Sequence, residues 1–255
     1  MIARAAPADS RAQRCVASHS FARGSALFLA GLLLTTIPVP ATAQVGAVLS
    51  LFSDNRFRGY SLSDGRPVGI LDLSYDHPSG LYGTLSGSVV ASRHNGLRPL
   101  RLAVNAGYAT RFRSGLTVDL GAVHSHYSEY SGVASGRSYT EFYAGLSGKV
   151  IGGRVSISPN YLGVTRATFH GAVNGHVELS PKWLLDGEVG LLVPIGSRGY
   201  SLSSRPQLDA RAGIARRLGT FTLHAAVTGR TKGPDIYSGH EPGRTAFVVG
   251  ISSAL

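Results

Sequence analysis

From Ala47 to the end of the chain, apolar and polar residues alternate with a period of two, in segments of about ten residues. Ala47, Leu49, Leu51 and Phe57 fall on one face of the first segment, with Asp54, Arg56 and Arg58 on the other. Leu71, Leu73 and Tyr75 then alternate with Asp72 and Ser74, and Leu81, Leu85 and Val89 with Tyr82, Thr84 and Ser86. The same rhythm carries Leu100, Leu102 and Val104 against Arg101 and Asn105, and Val118 and Leu120 against Asp119. It continues through Phe142 and Leu146, Val155 and Ile157, Val173 and Val177, Leu185 and Val189, Leu208 and Ala210, Leu223 and Val227, and Phe247, Val249 and Ile251. A strand sends successive side chains to opposite faces, so each segment predicts a β-strand with one apolar and one polar side.

Counted this way the chain predicts twelve strands, an even number as a bacterial single-chain barrel requires; ten or fourteen remain open, because pattern alone places strand ends loosely. The connections alternate in length. Residues 77–80, 113–115, 151–154, 180–182 and 216–219 are short, whereas 93–99, 127–138, 195–206 and 231–244 are long; the first and fourth outer connections, about 61–67 and 162–167, are themselves short. Short turns on the periplasmic side and long loops outside are the pattern of an outer-membrane barrel. Hydrocarbon offers no water to unpaired N–H and C=O groups, so such a sheet must close on itself. The fold class expected is therefore all-β: a closed antiparallel transmembrane β-barrel with lipid outside and a polar lumen.

Composition supports this reading and narrows it. Only 15% of the 255 residues are charged and 33 are glycine, which is too apolar for disorder and too glycine-rich for a helical bundle. Residues 1–43 read as a cleavable signal peptide: Arg23, an apolar run from Ala26 to Ile37, then Ala41-Thr42-Ala43, with cleavage expected after Ala43. The twelve-residue run is too short for a spanning helix. The only cysteine, Cys15, lies within that segment, so residues 44–255 hold no disulfide or cysteine-based metal site. They carry 21 basic and 13 acidic residues, a net +8. The bases are scattered without an aromatic-interleaved cluster, which argues against nucleic acid as a partner.

Two stretches carry a family resemblance. Phe57-Arg58-Gly59-Tyr60-Ser61-Leu62-Ser63-Asp64-Gly65-Arg66-Pro67, followed by Tyr75-Asp76-His77-Pro78-Ser79-Gly80-Leu81-Tyr82-Gly83, resembles the opening of the TorF-like, or Gcw-chp, proteins, a proteobacterial family regarded as porins. The resemblance implies a signal peptide, a small barrel and the bacterial outer membrane as location. Asp64-Gly65 also predicts a turn in its own right, since Asp and Gly accept the positive φ of a type I′ turn.

The polar strand faces give the candidate lumen: Arg56, Arg58, Asp72, Arg101, Asp119, Glu141, Lys149, Arg154, Glu178, Asp186, Glu188, Asp209 and Arg211. So many charges would not sit in a dry core without partners, and rings of charge set ion preference in a channel. Arg56 and Arg58, with Asp54, are placed near the outer mouth as a charged constriction. The function expected is passive diffusion of small polar or ionic solutes, the net charge hinting at anions. The other partners expected are outer-membrane lipid and, during biogenesis, the barrel-assembly machinery; no cofactor is expected. Two alternatives stand beside it: a lipid-modifying barrel enzyme and a non-conducting structural or adhesive barrel. His124 and His126 share a strand face, but no third ligand is evident, and His124 and Ser125 point to opposite faces, against a local catalytic dyad. No catalytic residue is assigned. Trp183 and Tyr108 near the periplasmic turns, and Tyr60, Tyr130, Tyr200 and Tyr237 near the outer connections, suit interfacial aromatic belts or loops.

Overall fold

The computed structural model describes residues 43–93, 95–130, 136–163, 167–195, 206–231 and 244–255. The signal segment up to Thr42, and Tyr200 and Tyr237, lie outside the described residues. The chain forms β1 (Gln44–Phe52), β2 (Arg56–Phe57), β3 (Tyr60–Ser61), β4 (Val68–Asp76), β5 (Leu81–Ser92), β6 (Gly96–Arg111) and β7 (Thr117–Tyr127). It continues with β8 (Ser138–Ser147), β9 (Ile151–Ser158), β10 (Ala167–Ser180), β11 (Trp183–Ile195), β12 (Gln207–Leu218), β13 (Phe221–Arg230) and β14 (Thr245–Ala254). β1 and β4 to β14 make a closed barrel of twelve strands in sequence order. Each pairs antiparallel with its neighbours, and β1 closes on β14 in the register Val48 to Ala254 through Phe52 to Gly250. β2 and β3 stand apart as a two-stranded hairpin.

The alternation sorts the barrel's two surfaces. Leu51, Leu102, Leu120, Phe142, Val173 and Phe247 all expose more than half of their surface on the outer wall. Their in-register neighbours on the other face are polar and more buried, as in Asp119, Ser125, Glu141 and Ser156. Closure satisfies the backbone of both.

The turn at His77–Gly80 shows how local chemistry closes the barrel on its short-turn side. His77 N donates to Leu81 O at 2.8 Å and Gly80 N donates back to His77 O at 2.9 Å. Gly80 has φ +98, and a Cβ there would meet the backbone oxygen of Ala109. The second family motif is thus the β4–β5 turn.

Several placements differ from the sequence reading. β1 ends at Phe52, not Phe57, because Ser53, Asp54 and Asn55 break the strand. Leu100 was expected on the outer face. A β-bulge opposite Ser88 and Val89 adds one residue to β6 and turns Leu100 inward, fully buried. After Val155 and Ile157 the alternation stops short of Tyr161, which lies in a short 3-10 turn, Tyr161–Gly163, and is buried. Tyr60, placed in an aromatic belt or loop, is 5% exposed inside the barrel, and Tyr130 packs against the same buried cluster.

Candidate functional site: a first loop folded into a charged lumen

Residues 53–67 leave β1 at the outer end and turn into the barrel. The loop holds its shape through its own polar groups. Asp54 Oδ1 accepts hydrogen bonds from Ser61 Oγ at 2.6 Å and Ser63 Oγ at 2.8 Å, while Oδ2 accepts from Arg56 Nε at 2.7 Å. Arg56 Nη1 donates to Gly59 O at 3.0 Å, Leu62 N to Asn55 O at 2.7 Å, and Asn55 N to Ser63 Oγ at 3.0 Å. Burial pushes the Asp54 carboxyl up, but the bonds from Ser61, Arg56 and Ser63 outweigh it and hold the group below the usual carboxylate range.

Two tight turns shape the loop. Between β2 and β3, Arg58 and Gly59 both have positive φ, +51 and +78. The chain reverses again at Asp64 and Gly65, φ +55 and +69, where Arg66 N donates to Ser63 O at 3.1 Å. The Asp-Gly turn thus forms as expected, but it ends the inward loop and does not join two barrel strands. Gly59 is required twice over: its φ disfavours a side chain, and a Cβ would lie 2.7 Å from Arg230 Cβ.

The loop is fastened to opposite walls. Arg58 Nη2 pairs with Glu141 Oε1 on β8 at 2.8 Å, both side chains being 6% exposed. Its guanidinium lies 4.6 Å from the Phe57 ring centroid and 5.2 Å from that of Tyr161. On the far side Gln207 of β12 donates to Arg58 O at 3.0 Å and accepts from Tyr60 Oη at 2.8 Å. Arg230 of β13 stacks 3.9 Å over the Tyr60 ring. Around these contacts Leu62, Val68, Val90, Leu100, Tyr127 and Tyr139 form an apolar cluster inside the barrel. The outer half of the lumen is therefore packed.

Below the loop the wall is polar. Asp119 on β7 accepts from Tyr82 Oη and, at 2.6 Å, from Arg154 Nη2, whose guanidinium lies 4.0 Å from the Tyr143 centroid. Tyr143 Oη lies 2.5 Å from Tyr82 Oη and donates to Asn105 Oδ1 at 2.7 Å. Gly107 and Gly121 make room for this chain. A Cβ at Gly107 would lie 2.5 Å from Tyr82 Cζ, and one at Gly121 2.7 Å from Tyr143 Cζ. On the other wall Arg211 pairs with Asp186, and His170 Nε2 faces Asp209 Oδ2 at 3.5 Å.

The structure thus brings most of the sequence-derived candidates together. Arg56 and Arg58 lie in the loop. Asp72, Arg101, Asp119, Glu141, Arg154, Asp186, Glu188, Asp209 and Arg211 face inward from strands. Glu178 lies at the exposed lower end of β10, paired with Arg217 at 3.1 Å. Lys149 is not on a strand at all: it is exposed in the turn between β8 and β9. Among residues the pattern did not single out, Gln207, Tyr82 and Tyr143 matter most, and the Ser53-Asp54-Asn55 break was the available signal for the inward turn. His124 and Ser125 do face opposite ways. His124 Nδ1 meets Thr140 Oγ1 at 2.9 Å on the outer wall, while Ser125 is buried inside and accepts from Arg101 Nη2 at 2.7 Å. Trp183 and Tyr108 are partly exposed near the short turns, and Arg216 stacks 5.1 Å from the Trp183 centroid.

A bacterial family model, described as "Bacterial protein of unknown function (Gcw_chp)", matches residues 38–249. No curated protein sequence matches the chain. Among solved structures the chain is similar in fold to the NanC porin, with a TM-score of 0.55 at 11% identity over 82% of this chain and 100% of that one. The KdgM porin superposes with a TM-score of 0.49 at 9% identity, covering 82% and 98%. An outer membrane channel from Pseudomonas putida F1 gives 0.48 at 12% identity, covering 85% and 96%.

Proposed function

For a chain that belongs to the Gcw_chp family and folds as a closed twelve-stranded barrel, we propose an outer-membrane porin that passes small polar or ionic solutes by diffusion, narrowed by its own first loop. One observation carries this reading: charged and hydroxyl side chains face a lumen while leucine, valine and phenylalanine face outward on the same strands. Outer-membrane lipid is then the partner of the outer wall, and the assembly machinery its partner in biogenesis. The mechanism requires no covalent step. The radius and charge of the lumen select the solute, and both are set where Arg58, Glu141, Gln207 and Tyr60 join loop to wall. Planar-bilayer recording of the refolded protein tests the proposal. Discrete current steps are expected; a folded, heat-modifiable barrel that never conducts refutes it.

A second reading is favoured by the packed outer half, where Leu62, Leu100, Leu162 and Leu192 are fully buried. A barrel held shut by that cluster would serve as a structural element. The same recording separates the two.

A further inference from the structure

The net charge of residues 44–255 is positive, but the structure divides it unevenly. Among the described residues, Arg93, Arg113, Arg137, Lys149, Lys182 and Arg244 are exposed at loops and turns, and Arg98 at the start of β6. Asp64, Glu129 and, at the exposed end of β10, Glu178 oppose them there. Rim charges sit in bulk electrolyte, where a screening length of about 8 Å confines their field. They do not fix the sign of the lumen.

Inside, beyond the ion pairs made by Arg56, Arg58, Arg154 and Arg211, the carboxylates of Asp72, Glu188 and Asp209 stand against Arg101 and Arg230, a surplus of one carboxylate. Arg58 in the loop, and Arg154 and Arg211 on the wall below it, each have a carboxylate of their own: Glu141, Asp119 and Asp186. Glu188 and Asp209, inward on the adjacent strands β11 and β12, remain after that pairing; no arginine or lysine among the described residues forms an ion pair with either. The partner of Asp209 is His170, which is neutral unless protonated. The two meet across Gly190, where a Cβ would lie 2.7 Å from His170 Nε2 and 2.9 Å from both Asp209 oxygens. His170 Nε2 and Asp209 Oδ2 belong to residues more than nine-tenths buried, and beyond their 3.5 Å approach to each other neither atom has a hydrogen-bond partner. The carboxylate is thus built into the wall with acceptor capacity unused.

A confined wall with surplus negative charge concentrates cations and repels anions. We propose that the passage prefers small cations, with Glu188 and Asp209 setting the preference. This rests on the channel reading above and reverses the sign that net charge alone would give.

The test is the reversal potential of the purified protein in a planar bilayer under a potassium chloride gradient, for wild type, Glu188→Gln, Asp209→Asn and the double variant. Heat-modifiable migration checks the fold of each. The expected result is a potassium-to-chloride permeability ratio above one, lowered by each substitution and lowest in the double variant. Should Asp209→Asn not fold, Glu188→Gln alone carries the comparison. Current steps with a chloride-side reversal potential overturn this inference and leave the channel standing. So does an unchanged ratio in folded variants. Absence of current in every salt overturns the channel reading, and this inference with it.

Discussion

Replacing Glu141 by glutamine would release the first loop. The substitution keeps the shape of the side chain and removes one charge from a pair 2.8 Å apart, each member 6% exposed. Removing one partner of a buried ion pair costs about 3–5 kcal/mol, because the other charge stays buried without compensation. At about 1.4 kcal/mol per factor of ten, that shifts the docked-to-undocked equilibrium of the loop by roughly a hundredfold or more. Arg58 is already held at φ +51, a conformation that costs a non-glycine residue of order 1–3 kcal/mol, so undocking also relieves strain. What remains is the Gln207 clasp, the Arg230–Tyr60 stack and the apolar cluster. The assay is trypsin cleavage after Arg56 or Arg58 in protein refolded into vesicles, recorded beside single-channel current. Wild type should resist and Glu141→Gln should be cut, with larger and noisier current. Pairing Glu141→Gln with Arg58→Met should restore much of the resistance, since no charge is then left buried alone. A Glu141→Gln protein with a trypsin-resistant loop and unaltered current would refute the reasoning.

Gly107→Ala and Gly121→Ala should each cost about 1–3 kcal/mol by overpacking against Tyr82 and Tyr143, read as a lower urea midpoint. Gly87→Ala, with open space around it, should leave the midpoint in place. The Asp54 carboxyl is held below its ordinary 3.8, so its contribution is full above that pH and fades only as pH falls through the lowered value. Loop protection against pepsin should therefore hold down to about pH 4 and fail in stronger acid; failure already in mild acid would show that another group holds the loop. Lys149→Gln should leave conductance and reversal potential unmoved, because the side chain is exposed in a turn; a clear shift would return Lys149 to the passage.

The barrel was legible because one rule, period-two alternation between an apolar outer and a polar inner face, governs all twelve strands, and even their antiparallel order follows from short turns such as His77–Gly80. The inward loop was not. Arg56 and Arg58 share the parity of the lumen face of β1, so the alternation runs on past Phe52 although the strand has ended. The break is written in Ser53-Asp54-Asn55, three turn-forming residues, and the reversal at Arg58-Gly59 lacks the Asn or Asp that usually marks such a turn. What the loop does next depends on Glu141 and Gln207, 83 and 149 residues away from Arg58, which no local pattern reports. Leu100 was misread for a different reason: a bulge adds one residue and inverts the faces beyond it. Charge was the least legible property, because a total of +8 conceals basic rims around an interior where acidic and basic groups nearly balance.

The most direct test of the account compares the intact protein with a variant in which residues 55–65 are replaced by a short glycine-containing turn, both recorded in the same bilayer. If the first loop narrows a conducting barrel, the intact protein passes small steps and the shortened one passes larger, steadier steps. Equal conductance in two folded proteins, or silence from both, would contradict it.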